Sequence, residues 1–67
     1  MPVIKSIDLV GVSTKSWEDA ALQALAEASK TLRNIEEMQV LEHSAVIEDQ
    51  KVKEFQTHVR ISFRIER

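Results

Sequence analysis

Sixty-seven residues with one glycine, one proline and no cysteine make a single short domain, with no means of forming a disulfide or a thiolate metal site. The net charge is −2 with acidic and basic residues interspersed, which argues against a nucleic-acid partner: phosphate binding shows as a basic patch, and the one cationic concentration is Arg60, Arg64 and Arg67. No apolar run approaches the ~20 residues that cross a bilayer, and Met1-Pro2-Val3 leads into a strand-like segment without a signal peptide or transit sequence, so the expected location is cytoplasmic, off the membrane.

Chains of this length bury only about 60% of the surface that their unfolded form exposes. Natural ones add disulfides, a metal or partner subunits. Self-association is the remedy left here, and a hydrophobic fraction of 43% is enough to supply both a core and an interface.

The first segment, Val3 to Val10, carries Val3, Ile4, Ile7, Leu9 and Val10 between Pro2 and Gly11, and reads as a strand. Gly11 to Ser16 reads as a loop. Ser16 followed three residues later by Asp19 is a variant of the capping box, which places a helix start at Ser16. Trp17, Ala20, Ala21, Ala24, Leu25, Ala28, Leu32 and Ile35 then recur at helical spacing and form one apolar stripe, with Asp19, Gln23, Glu27, Lys30 and Asn34 on the far side. That stripe carries the expected helix to about Asn34. Leu22, Ala26 and Ser29 make a second stripe of small or apolar residues, readable either as a subunit contact or as incidental good helix formers.

Met38 to Ile47 is strand-like with apolar residues on both faces, which suggests burial on both sides. Glu48-Asp49-Gln50-Lys51 is the turn. In the last strand Phe55, Thr57, Val59, Ile61, Phe63 and Ile65 alternate with Glu54, Gln56, His58, Arg60, Ser62 and Arg64, one face for a core and one for water. The tight turn makes the last two strands an antiparallel hairpin. With the third strand between the other two, all neighbours run antiparallel and the helix covers one face. The expected fold class is therefore α+β, strand–helix–strand–strand, in one domain over residues 1–67.

No motif for catalysis is present: no Gly-rich phosphate loop, no H-E-x-x-H, no nucleophile elbow. An enzyme is not expected. His43 and His58 lie on pairing strands near Glu42 and Glu54, but two isolated histidines at solvated positions read better as surface residues than as metal ligands. Glu36-Glu37 is too local for an acid/base dyad. Trp17 opens the apolar stripe and reads as packing rather than ligand stacking. Gln56 sits centrally on the polar face of the last strand, and its amide offers a donor and an acceptor together, which suits the edge of a planar heterocycle.

Three stretches together carry a family resemblance that spans essentially the whole chain. They are Leu9-Val10-Gly11-Val12-Ser13, a helix opening Ser16-Trp17-Glu18-Asp19-Ala20-Ala21 and closing Thr31-Leu32-Arg33-Asn34, and a final strand Phe55-Gln56-Thr57-His58-Val59-Arg60-Ile61-Ser62-Phe63-Arg64. The chain resembles the dodecins. The resemblance implies a hollow homododecameric shell of cubic symmetry, each subunit a three-stranded antiparallel sheet curled around one helix. It also implies flavin (riboflavin, FMN or FAD) bound between subunits, with paired rings stacked between tryptophans, a glutamine on the ring edge, and a role in storage or sequestration without turnover.

Carried over, the glutamine falls on Gln56, and the position of the stacking tryptophan falls on Glu37, next to Met38; Gln56, Glu37 and Met38 are the implied pocket residues. A carboxylate has no π-face and resists desolvation against an apolar ring. The resemblance therefore implies an alternative as well, a shell that has lost flavin and is a calcium-binding or structural oligomer. A calcium-containing dodecin-like branch shares the opening Ser16-Trp17-Glu18. Calcium takes six to eight oxygens, and Glu36, Glu37 and Glu42 are the acidic candidates.

Overall fold

The computed structural model describes residues 3–65; Met1, Pro2, Glu66 and Arg67, including the proline expected to bound the first strand and the last of the C-terminal arginines, lie outside the described residues. Four elements follow in the expected order: β1 (Val3–Ser13), α1 (Trp17–Ser29), β2 (Ile35–Glu48) and β3 (Lys51–Ile65). The sheet order is β1-β3-β2 and both pairings are antiparallel. The strand with the cleanest alternation is thus the central one.

β1 runs three residues past its expected end, through Gly11 to Ser13, because Gly11 lets the strand pass directly under the helix. A Cβ at this position would lie 1.8 Å from the Ala20 carbonyl oxygen and 3.2 Å from the Ala24 Cβ. The glycine marks a close backbone approach inside a strand, not a strand end.

Ser16 caps α1 as expected, its Oγ accepting from the Asp19 N–H at 3.0 Å. The reciprocal arm of the box is different. The Asp19 carboxylate accepts from the Ser13 hydroxyl at 2.5 Å, and the Ser13 oxygen in turn accepts from the Lys15 N–H, so the cap is tied back to the end of β1. Ser16→Ala should cost about 1 kcal/mol of stability, the usual magnitude for a lost cap, read as a shift in the thermal midpoint at fixed protein concentration. No shift would mean that Asp19 and Ser13 hold the helix start without Ser16.

The helix stops at Ser29, about five residues short of the expected end near Asn34. Its last turn tightens, with the Thr31 and Leu32 N–H groups both donating to the Ala28 carbonyl, and Ser29 Oγ donates back to the Leu25 carbonyl. Asn34, with φ of 60°, then swings the chain into β2. Leu32 and Ile35 still pack against the core. Helical spacing picked out the right buried residues past the point where the backbone is helical.

β2 begins at Ile35 rather than Met38, and its register shifts three times, at Ile35/Glu37, Val40/Glu42 and Val46/Ile47. The extra residues are Glu36 and Leu41 of β2 and Lys53 of β3, and each turns its own strand over relative to its alternation. The residues opposite the buried side of β3 are therefore Ile35, Met38, Val40, His43 and Ala45, which belong to neither the odd nor the even set. The expected mixture on both faces comes from these bulges. At the hairpin Glu48 pairs with Lys51, and Asp49 and Gln50 both take positive φ, 53° and 65°, the pattern of a two-residue type I′ turn.

The core is small. Ala21, Ala24 and Ala28 of α1 pack on Val59 and Ile61, with Ile7, Leu9, Leu25, Leu32, Ile35 and Met38 closing around them and Ala20 buried against Gly11. A 13-residue helix is only about 20 Å long, whereas the molecule extends 52 Å along the hairpin. Much of the sheet is therefore uncovered, and Val10, Val12, Leu22, Ile47 and Val52 are each about half exposed. The accessible surface is 5071 Å², against roughly 4,300 Å² for a self-contained monomer of 7.7 kDa.

Candidate functional site

The face of the sheet away from the helix is a polar ladder whose rungs follow from register. Val12–Gln56–Ser44 is one rung; Val10–His58–Glu42, Asp8–Arg60–Gln39 and Ser6–Ser62–Glu37 follow along β3. Gln56 is half-buried at one end, and its Nε2 donates to Glu54 Oε2 at 3.0 Å. In the middle, Asp8 accepts from Arg60 through both carboxylate oxygens, at 2.9 and 3.2 Å, and its Oδ2 also lies 3.2 Å from His58 Nε2. Further on, the Ser6 and Ser62 hydroxyls meet at 3.0 Å. Glu36, the extra residue of the first bulge, receives Arg64 in a two-point pair at 2.7 and 3.3 Å.

The hydrogen bond and charge of Arg60, with a smaller contribution from His58, hold the Asp8 carboxyl below the usual carboxylate range, and Asp8 raises Arg60 in return. A carboxyl lowered in the folded state contributes stability above its unfolded pKa and loses it as the pH falls through the folded pKa. The effect is small, since these side chains are 36–46% exposed. Asp8→Asn should accordingly flatten the acid side of the thermal-midpoint profile below the ordinary carboxylate range. A profile identical to wild type would mean that the Asp8–Arg60 pair adds nothing to folding.

The implied pocket residues are not brought together within one chain. Gln56 and Glu37 share the polar face, but Glu37 pairs with Ser62, six residues from Gln56 along β3. At ~3.3 Å per residue that is about 20 Å. Met38 pairs with Ile61 on the opposite face and packs against the core. Of the acidic candidates, Glu36 is engaged by Arg64, and Glu37 and Glu42 stand about 13 Å apart by the same spacing. No group of three or more His, Cys, Asp or Glu able to hold a metal occurs among the described residues. His43 and His58 fall on opposite faces of the sheet.

Trp17 packs as its place on the apolar stripe suggests. Its ring meets Phe55 edge-on at 4.8 Å and His43 at 5.7 Å, and its Nε1 donates to the Ser44 carbonyl at 2.7 Å. The Thr57 hydroxyl, fully buried, donates to the Trp17 carbonyl at 2.8 Å and fastens the helix start to β3. An open concavity of about 340 Å³ between β1 and α1, lined by Leu9, Gly11, Val12, Gln23, Ala24 and Glu27 among others, contains none of the implied pocket residues.

Against known proteins, the family model described as dodecin matches residues 3–66. The chain belongs to the dodecin family. Among dodecins, that of Thermus thermophilus is 41% identical over 64 residues, covering 96% of this chain and 93% of the relative. The calcium dodecin of Mycobacterium tuberculosis is 29% identical over 65 residues, covering 97% and 92%. The folds agree as well: a crystal structure of an arginine-to-alanine variant of T. thermophilus dodecin superposes with a TM-score of 0.94 at 39% identity over the whole of both chains. The M. tuberculosis calcium dodecin, whose structure is described as having a novel calcium-binding site, superposes with a TM-score of 0.85 at 29% identity, covering 96% of this chain and 91% of that one.

Sequence reasoning missed two partnerships on the polar face. Asp8 with His58 and Arg60 depends on pairing of strands fifty residues apart in sequence. Glu54 with Gln56 could have been found, since residues i and i+2 of a strand share a face.

No helix among the described residues is long and apolar enough to cross a membrane.

Proposed function

We propose that this chain is the protomer of a cytoplasmic homododecameric shell, one domain over residues 1–67, that binds flavin (riboflavin, FMN or FAD) between subunits and stores or sequesters it without turnover. The carrying observation is Gln56: a half-buried carboxamide on the polar face, with one N–H engaged by Glu54 and its carbonyl oxygen without a partner among the described residues. Such a group is equipped to meet a heterocycle edge carrying both an acceptor and a donor. Membership of the dodecin family supports the ligand class, as does the surface left uncovered by a short helix. The ~20 Å between Gln56 and Glu37 on one chain supports a pocket shared between two chains. Met38, turned to the core, contributes to such a pocket only through the backbone or by seating Glu37.

Riboflavin and FMN titrated into the purified protein, with flavin fluorescence and the particle mass read on the same sample, test this proposal. Quenching in a particle of about twelve subunits is the expected result. Gln56→Ala should then weaken binding by about 1–3 kcal/mol, the magnitude of losing a buried hydrogen-bond partner; unchanged affinity removes Gln56 from the site.

A second reading follows from Glu37, an exposed carboxylate with no ion pair among the described residues. In a shell without flavin, symmetry copies of Glu37 joined by Glu42 would supply oxygens for calcium. A dodecamer that leaves flavin unquenched but takes up calcium, with loss of uptake in Glu37→Gln, is the outcome that favours it.

A further inference from the structure

Gln56 does not stand alone on its face. Glu54 precedes it by two residues on β3, also half-buried, and its Oε2 accepts from Gln56 Nε2 at 3.0 Å. An ionised carboxylate only accepts, so this bond decides which end of the carboxamide turns toward Glu54: the nitrogen faces it and the carbonyl oxygen faces away. A glutamine without such a partner rotates about its terminal torsion, which is broad and roughly two-fold, and offers donor and acceptor in either order.

The surroundings leave Glu54 to this task. Its cross-strand neighbour is Val46, and β1 ends at Ser13, opposite Phe55, so no β1 residue pairs with it. The ion pairs nearby use other carboxylates: Lys53 takes Glu48, and Arg60 takes Asp8. Ser44 and Val12, on either side of Gln56, bring no charge that would draw the amide round.

We infer that Glu54 is the positioning residue of the Gln56 site, holding the carboxamide in one orientation so that a ligand edge meets its carbonyl acceptor and its second N–H in fixed order. The chemistry that fits is a planar heterocycle edge with an N–H beside a carbonyl. This rests on the flavin reading above. A flexible amide would have to be ordered by the ligand, and that ordering would weaken binding.

The test uses the whole protein with Glu54→Ala and Glu54→Gln, riboflavin as the probe, and crystal structures of each ligand-free form. Glu54→Ala should weaken riboflavin binding about tenfold at unchanged particle mass, the loss expected for one net hydrogen bond, and its Gln56 amide should turn away from the wild-type orientation. Glu54→Gln offers a carbonyl acceptor but also an N–H donor, so it holds the amide only in part, and its affinity should fall between that of wild type and that of Glu54→Ala. Wild-type affinity in Glu54→Ala overturns the positioning role while leaving the flavin reading standing. A fall in Glu54→Gln as deep as in Glu54→Ala overturns it in favour of charge alone. If wild type itself leaves riboflavin unquenched, the flavin reading falls and the crystal structures decide the rest: an amide turned in Glu54→Ala upholds the role of Glu54, and an unmoved amide overturns it.

Discussion

Gly11→Ala should destabilise the protein by about 3 kcal/mol, at the upper end of what overpacking a well-filled core does. The added Cβ would lie 1.8 Å from the Ala20 carbonyl oxygen and 2.7 Å from its carbon, both of them helix backbone. Ala20 is fully buried, so neither atom can move aside as a flexible side chain would. Relief requires α1 to lift off β1 by ~1.5 Å to restore ordinary contact. That shift parts Ala20, Ala21 and Ala24 from the sheet, and Ala21 and Ala24 lie in the same cluster as Val59 and Ile61. Glycine is needed here for contact and not for backbone conformation, since no glycine takes positive φ. At 4–8 °C per kcal/mol for a domain of this size, the thermal midpoint should fall by roughly 12–24 °C. Protein concentration must be matched, because association and folding are linked. A fall of less than about 5 °C would mean that the helix yields cheaply and that the close approach is incidental.

The same glycine shows what was legible in the sequence and what was not. The apolar stripe of α1, the alternation of β3 and the turn at Asp49-Gln50 report local periodicity, and each lies where the residues placed it. Boundaries depended on tertiary contacts and were less legible. Gly11 reads as a breaker until a helix is seen against it, and Leu32 and Ile35 extend a helical pattern because turn and strand deliver them to the same core. The two extra residues of β2, Glu36 and Leu41, are invisible to a parity argument, since each changes which set faces inward.

The candidate site was legible only in part for a different reason. Gln56 stands out on a clean polar face. Its relation to Glu37 depends on register across β2 and β3, which puts the two on one face and far apart. A protomer that exposes this much apolar surface and divides its implied pocket residues between distant rungs is half of a site. Under the flavin reading proposed above, the other half would come from a second copy of the same face.

Glu37→Trp should raise flavin affinity by about 3–4 kcal/mol, or more than a hundredfold. An indole brings roughly 100 Å² of apolar face against the ring at ~25 cal/mol per Å², with a further ~0.5–1.5 kcal/mol from stacking geometry. It also removes a carboxylate that desolvates badly beside an apolar ligand. The fold should not notice the change. Glu37 is exposed, its side chain has no hydrogen bond or ion pair among the described residues, and its rung partners Ser62 and Ser6 bond to each other. The thermal midpoint without ligand should therefore stay within a few degrees of wild type, and the particle mass should be unchanged. Fluorescence quenching by riboflavin reads the gain. Adding Gln56→Ala to Glu37→Trp separates the two contacts: if both touch one flavin across a subunit junction, the double variant loses part of the gained affinity while keeping the stacking. A tryptophan at residue 37 that leaves quenching as it was would mean that this rung of the polar face does not border the pocket, and the flavin site would then have to be sought around Gln56 alone.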